Sequence, residues 1–424
     1  MLDPKTRKTT LNNGVRIVTK ELPHAKSVSL GIWLHAGARD ETIDQNGISH
    51  FIEHMIFKGT KKRSALDIAR QFDSIGGQTN AFTGMETTCF HARVLDECLS
   101  GTIDILTDIF LHAAFDPTEM EKERSVIFQE ISMVEDVPEE YALLLAEEGY
   151  FANHPLGRPI SGTLASVSAF QPTDLRNYFQ TMVQTDRIVI AAAGNVQHEQ
   201  LVDKIAPAFM GLQTSATFPE RITPVPQTGT KIHMKPMEQA NLCLICPGVA
   251  TTHKDRYAFY LLNSLLGGNM SSRLFQRIRE QRGLAYSIES FTGSFSDTGT
   301  LMVYAGIHPK NATLTATLIL EEMDRLAQAF VDEEEVQNAK EFVRGSTLLA
   351  SESTDNQMVR AAQNEIQFDR HVPLQETLYA IEAVTPADIQ RLAAKIFTPN
   401  QCAITLLCPK GPHVTEFKKM ENTR

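Results

Sequence analysis

The sequence predicts an α+β chain made of two homologous αβ domains, and three observations lead there. Short runs of strand character alternate with longer stretches of helical period throughout the 424 residues. The closing segments of the two halves also match. Gln171-Pro172-Thr173-Asp174-Leu175 opens a helical stretch followed by Arg187-Ile188-Val189-Ile190-Ala191, and Thr385-Pro386-Ala387-Asp388-Ile389 opens another followed by Cys402-Ala403-Ile404-Thr405-Leu406. Pro172 and Pro386 stand 214 residues apart, about half the chain, so internal duplication is the economical explanation. Finally, Pro219, Pro224 and Pro226 interrupt a run without helical or strand period. The expected division is a first domain over 1–212, a linker over 213–229 and a second domain over 230–424.

In chain order, residues 11–18 read as a strand entered through the Asn13-Gly14 turn, and 27–35 alternate as a half-buried strand should. Residues 65–75 read as a helix closed by Gly76-Gly77, and 79–83 with 87–94 as a strand pair. Helices are expected over 101–112 and 118–134. Beyond the linker, 231–248 is strand-like, 255–266 and 271–280 are helical, and 312–330 and 332–349 are long helices.

Composition narrows the function. A hydrophobic share of 42% and a charged share of 21% are those of an ordinary soluble globular protein. The net charge of -11 argues against a general nucleic-acid binder, which must neutralise phosphates. Residues 1–8 show no apolar run behind their charges and no stretch approaches a membrane span, so the expectation is a cytoplasmic protein, with a matrix-like compartment open. Cys243 and Cys246 form a C-x-x-C within an apolar, strand-like run that no second cysteine pair or nearby histidine completes, so reduced structural thiols are expected.

The chemistry gathers around His50-Phe51-Ile52-Glu53-His54. Ile48, Phe51, Ile52, Met55 and Ile56 fall at i, i+3, i+4, i+7 and i+8, an apolar stripe of full helical period. His50, Glu53 and His54 then share the opposite face. Two imidazoles and a carboxylate on one patch suit a catalytic zinc ion, and a solvated polar face is the alternative. In the helix over 118–134, counting from Glu123, Val126, Ile127, Glu130, Ile131 and Val134 sit at i+3, i+4, i+7, i+8 and i+11. Two carboxylates on an apolar stripe call for hydrogen bonds or a cation, because an unpaired buried carboxylate costs several kcal/mol. The second half lacks such a set: Glu130 falls roughly at Gly345, and the region matching His50 and His54 holds Asn263 and Gly267.

Gly47-Ile48-Ser49-His50-Phe51-Ile52-Glu53-His54-Met55-Ile56-Phe57-Lys58-Gly59-Thr60 resembles the active-site helix of the pitrilysin and insulin-degrading-enzyme zinc metallopeptidases, nearest their mitochondrial-processing-peptidase β branch. The resemblance implies one zinc ion per chain, held by His50, His54 and Glu130, the last 76 positions past His54, with Glu53 as general base and Glu123 beside a ligand. It further implies that Gly76-Gly77-Gln78-Thr79-Asn80-Ala81-Phe82-Thr83 is an edge strand whose Asn80, Ala81 and Phe82 take up substrate by β-augmentation. Arg279 and Tyr286, which alone read as a helix-end cation and a core tyrosine, resemble the family's pair that assists substrate binding or the transition state.

The resemblance implies two domains with mixed, mostly antiparallel sheets flanked by helices, forming half of a clamshell. The expected activity is zinc-dependent endopeptidase cleavage of peptides or unfolded proteins in a chamber completed by a homodimer, a heterodimer remaining open. A noncatalytic structural or chaperone-like relative is the alternative; it predicts missing ligands, and none is missing.

Overall fold

The computed structural model describes residues 6–213 and 218–421; part of the expected linker and the first five residues lie outside it. The first half contains β1 Thr6–Thr10, β2 Arg16–Glu21, β3 Ser27–Leu34, α1 Ile48–Ile56, α2 Ala65–Ser74, β4 Gln78–Thr83, β5 Thr88–Leu95, α3 Leu99–His112, α4 Pro117–Asp136, α5 Pro138–Tyr150, α6 Leu164–Ala169, α7 Pro172–Met182, β6 Ile188–Gly194 and α8 His198–Phe209. The second contains β7 Gly229–Met234, β8 Ala240–Pro247, α9 Arg256–Leu266, β9 Ala285–Ser294, β10 Gly299–Ile307, α10 Ala312–Gln328, α11 Glu333–Ala350, α12 Thr354–Phe368, α13 Leu374–Glu382, α14 Pro386–Ile396, β11 Ala403–Cys408 and α15 Pro412–Glu421. The fold is α+β, with two sheets flanked by helices. Among the described residues no helix is long and apolar enough to cross a membrane.

The sheets make the duplication visible. The first has the order β1-β2-β6-β3-β5-β4 and the second β7-β11-β8-β10-β9. In each, one pair is parallel (β2 with β6, β7 with β11) and the other pairs are antiparallel. Removing β1 leaves the same order in both. The Asn13-Gly14 turn joins β1 to β2, with Gly14 at φ 98, a backbone angle that glycine adopts without Cβ strain. The expected strand over 231–248 is two strands, and the expected helix over 271–280 is a single π-helical stretch, Phe275–Glu280.

The compact units are not the contiguous halves expected from the linker. One gathers Met1–Ser132, Arg158–Ile222 and Leu348–Leu374; the other gathers Met133–Gly157, Thr223–Thr347 and Gln375–Arg424. The reason is a reciprocal exchange of helices. α12, from the second half, packs on β2, β3 and β6, whereas α5, from the first half, packs on β8 and β11. Each sheet therefore has helices on both faces, which is why β3 is buried almost throughout and not half-buried as its alternation suggests. Val28, Leu30, Ile32 and Leu34 of β3 enter the large core with α1 and α3, while Trp33 meets Met358, Ala361 and Ala362 of α12.

Candidate metal centre

α1 forms where its apolar period dictates, and Ile48, Phe51, Ile52, Met55 and Ile56 are all buried. Its start is set by two features outside the stripe. Gly47 has φ 95, and a Cβ there would come within 2.7 Å of Gly162 Cα, so only glycine fits. The buried carboxylate of Glu41 accepts from the backbone N–H of Gly47 at 2.8 Å and of Ser49 at 2.9 Å, satisfying donors that the helix start leaves open. Burial pushes the Glu41 carboxyl up to about 7, only partly opposed by the Ser49 and Gly47 N–H groups.

The opposite face of α1 carries His50, Glu53 and His54, and α4 brings Glu130 to it. One ligand atom from each of His50, His54 and Glu130 lies within 4.8 Å of the other two, and no other such group of His, Cys, Asp or Glu occurs among the described residues. Glu130 Oε2 is 3.6 Å from His50 Nε2 and 3.4 Å from His54 Nε2. The Nδ1 of His54 is engaged elsewhere, 3.1 Å from Glu123 Oε2. A proton on Nδ1 would bond Glu123 and leave the Nε2 lone pair facing Glu130, the orientation a metal-ligating histidine requires. His50 is lowered to about 4 by burial and then by the neighbouring His54, so its imidazole is neutral near pH 7. Two imidazoles and one carboxylate are a donor set that suits zinc.

Glu53 points to the sheet. Its Oε2 accepts from Thr83 Oγ1 of β4 at 2.6 Å. Burial raises its pKa; the Thr83 bond and the nearby His54 oppose the rise, while Glu130 adds to it. Glu53, His50, His54, Glu130 and Glu123 are thus brought together. β4 is the terminal strand of its sheet. On it Ala81 is buried, Asn80 is exposed and Phe82 is 38% exposed.

Arg279 and Tyr286 lie in the other compact unit, Arg279 on the π-helical stretch and Tyr286 in β9. Tyr286 is 78% exposed, not the core tyrosine that its place at a strand opening suggests, and the Arg279 guanidinium sits 5.9 Å from its ring centroid. In the same unit Asn263 of α9 accepts from Ser290 of β9 at 2.8 Å. It is a helix-to-terminal-strand bond like that of Glu53 and Thr83 in the first unit, with an amide as the acceptor instead of a carboxylate.

The cysteine expectation needs correcting. Cys246 and Cys402 are joined by a disulfide, while Cys89, Cys98, Cys243 and Cys408 are free. The C-x-x-C pair is not one chemical unit, because alternate strand residues face opposite sides of the sheet. Sequence reasoning also missed Glu41, Thr83 and Lys58, whose Nζ is 2.5 Å from Glu123 Oε1. Only Lys58 carried a local signal, lying four residues beyond His54.

Residues 16–164 match the family model described as Insulinase (Peptidase family M16), and 169–343 match Peptidase M16 inactive domain. The chain is 39% identical over 402 residues to a Bacillus subtilis (strain 168) protein named as the uncharacterized zinc protease YmxG, covering 95% of this chain and 98% of that one. A Streptomyces coelicolor protein named as an uncharacterized zinc protease is 38% identical, covering 92% of this chain and 87% of its own length. Among solved structures, a protease from Helicobacter pylori matches with a TM-score of 0.89 at 20% identity, covering 96% of this chain and all of that one, a likeness of fold.

Proposed function

The chain belongs to the insulinase (M16) peptidase family, and from that premise we propose that it is a zinc-dependent endopeptidase acting on peptides or unfolded proteins. The observation that carries the reading is the convergence of His50, His54 and Glu130 on one point, with Glu53 on the same helix face. Zinc held by these three residues would supply Lewis acidity, making water nucleophilic near neutral pH and polarising the scissile carbonyl. Glu53 accepts the proton of the attacking water and delivers it to the leaving amine.

The substrate adds to the outer edge of β4 as an extended strand, so that main-chain hydrogen bonds hold it while Asn80 and Phe82 meet its side chains. The Thr83 bond couples this strand to the base. Arg279 and Tyr286 donate hydrogen bonds to the substrate or to the developing oxyanion. The active assembly is a homodimer, since a family chamber takes four such domains and this chain supplies two. Sedimentation of the purified chain tests that part, and an active monomer would sink it.

The decisive experiment combines metal analysis with cleavage of a peptide library, with and without a chelator. Wild type is expected to hold zinc and to lose cleavage on chelation. Glu53→Gln should keep its zinc and lose nearly all hydrolysis, whereas Glu130→Gln should lose zinc. A fully active Glu53→Gln variant would remove the mechanism.

A further inference from the structure

Resting on the metal-centre reading, we infer that Lys58 is a positioning residue for the ion: it fixes the Glu123 carboxylate, which in turn fixes the His54 ring. α1 ends at Ile56, but Phe57 keeps right-handed helical angles (φ -88, ψ -2) and the Lys58 N–H still donates to Met55 O at 3.0 Å. Lys58 therefore follows His54 by four residues on a continuing helical turn, and the two side chains rise on the same side. Both reach Glu123. Its Oε1 lies 2.5 Å from Lys58 Nζ and its Oε2 lies 3.1 Å from His54 Nδ1.

The Glu123 side chain is 10% exposed, so water does little to hold it in place. With one oxygen engaged by an ammonium and the other by an imidazole N–H, the carboxylate is fixed in rotation and turned away from the point where His50, His54 and Glu130 meet. That assigns Glu123 and Glu130 to different tasks on one helix. The hydrogen bond from His54 Nδ1 selects the tautomer whose Nε2 lone pair faces Glu130. Without Lys58, Oε1 loses its partner, and the carboxylate is free to turn towards bulk water or the metal point. A lysine at a helix end also complements the helix dipole, and that role would not depend on Glu123.

The two roles separate in a competition experiment on the full chain, with zinc partitioned between the protein and a chromogenic chelator. Lys58→Met should weaken zinc binding about tenfold, the scale of lost outer hydrogen bonds at metal sites, and Lys58→Arg should restore it to within about threefold. In a Glu123→Gln background, Lys58→Met should cause no further loss. A second readout needs no zinc: imidazole nitrogen shifts in the metal-free protein should show His54 protonated on Nδ1 in wild type and as a tautomer mixture in Lys58→Met. Should Lys58→Met fail to fold, Lys58→Gln takes its place. Unchanged affinity in Lys58→Met, the same loss with and without Glu123, or an unaltered His54 tautomer overturns the inference. Wild type that takes up no zinc would instead overturn the metal-centre reading.

Discussion

Thr83 donates its hydroxyl to Glu53 Oε2 at 2.6 Å, so the terminal strand of the first sheet and the helix of the two histidines share a hydrogen bond. The bond holds the proposed base in one orientation. A charge-assisted bond of this kind contributes about 1.5 kcal/mol or more, so Thr83→Val should lower kcat/KM for a peptide by about tenfold or more. Thr83→Ser keeps the hydroxyl and should stay within about threefold of wild type. Zinc content should not change in either, and a Thr83→Val protein with full activity would show that the bond does not orient the base.

Glu41 makes stability depend on pH. Its carboxyl rises from an ordinary 4.5 to about 7 on folding, chiefly through burial. The folded state then binds the proton more tightly than the unfolded chain, so this group's contribution falls as pH rises from about 5 to about 7. Glu41→Gln has no such proton to lose, although it gives up one acceptor for the Gly47 and Ser49 N–H groups. The melting temperature of Glu41→Gln relative to wild type should therefore climb across that window. A constant offset would mean that Glu41 does not titrate there.

The disulfide leads to a count. Denaturing the protein without reductant and alkylating it should label four thiols, and after reduction all six. Linking residues 156 apart restrains the unfolded chain, so Cys402→Ser should lower stability by about 2–5 kcal/mol in chemical denaturation. Six labelled thiols without reductant would show that Cys246 and Cys402 are not joined in solution.

Local order was legible in the sequence because it is written at short spacing. The stripe from Ile48 to Ile56 marks α1, and the distance from His54 to Glu130 marks the third carboxylate once the family resemblance is seen; the alternation read as a half-buried β3 does not hold, because helices cover both faces of that strand. Contacts set by chain reversal leave no such trace. Glu41 reaches Gly47 and Ser49 only because an intervening turn folds it back, and Cys246 meets Cys402 only after β8 and β11 have paired. The helix exchange was equally hidden, because an amphipathic stripe shows that a helix must pack but not on which sheet.

That exchange has a consequence for fragments. The chain's one tryptophan, Trp33, donates its indole N–H to Met358 Sδ at 3.2 Å, within a buried cluster of Val18, Val189, Ala191, Ala193, Ala361 and Ala362. A fragment ending at 212 lacks α12, so this face of the sheet would meet water. Its emission should shift to the red, and co-expression of residues 348–374 should shift it back. In the full chain, Met358→Ala should cost about 2–5 kcal/mol, the range for truncating a buried methionine, measured by denaturant unfolding followed at Trp33. Gly31, two residues before Trp33 on β3, gives a second check. A Cβ there would stand 2.8 Å from both Met358 Sδ and Trp33 Nε1, so Gly31→Ala should loosen α12 and shift the same emission. A fragment ending at 212 with the native Trp33 spectrum would show that α12 is not what covers this face.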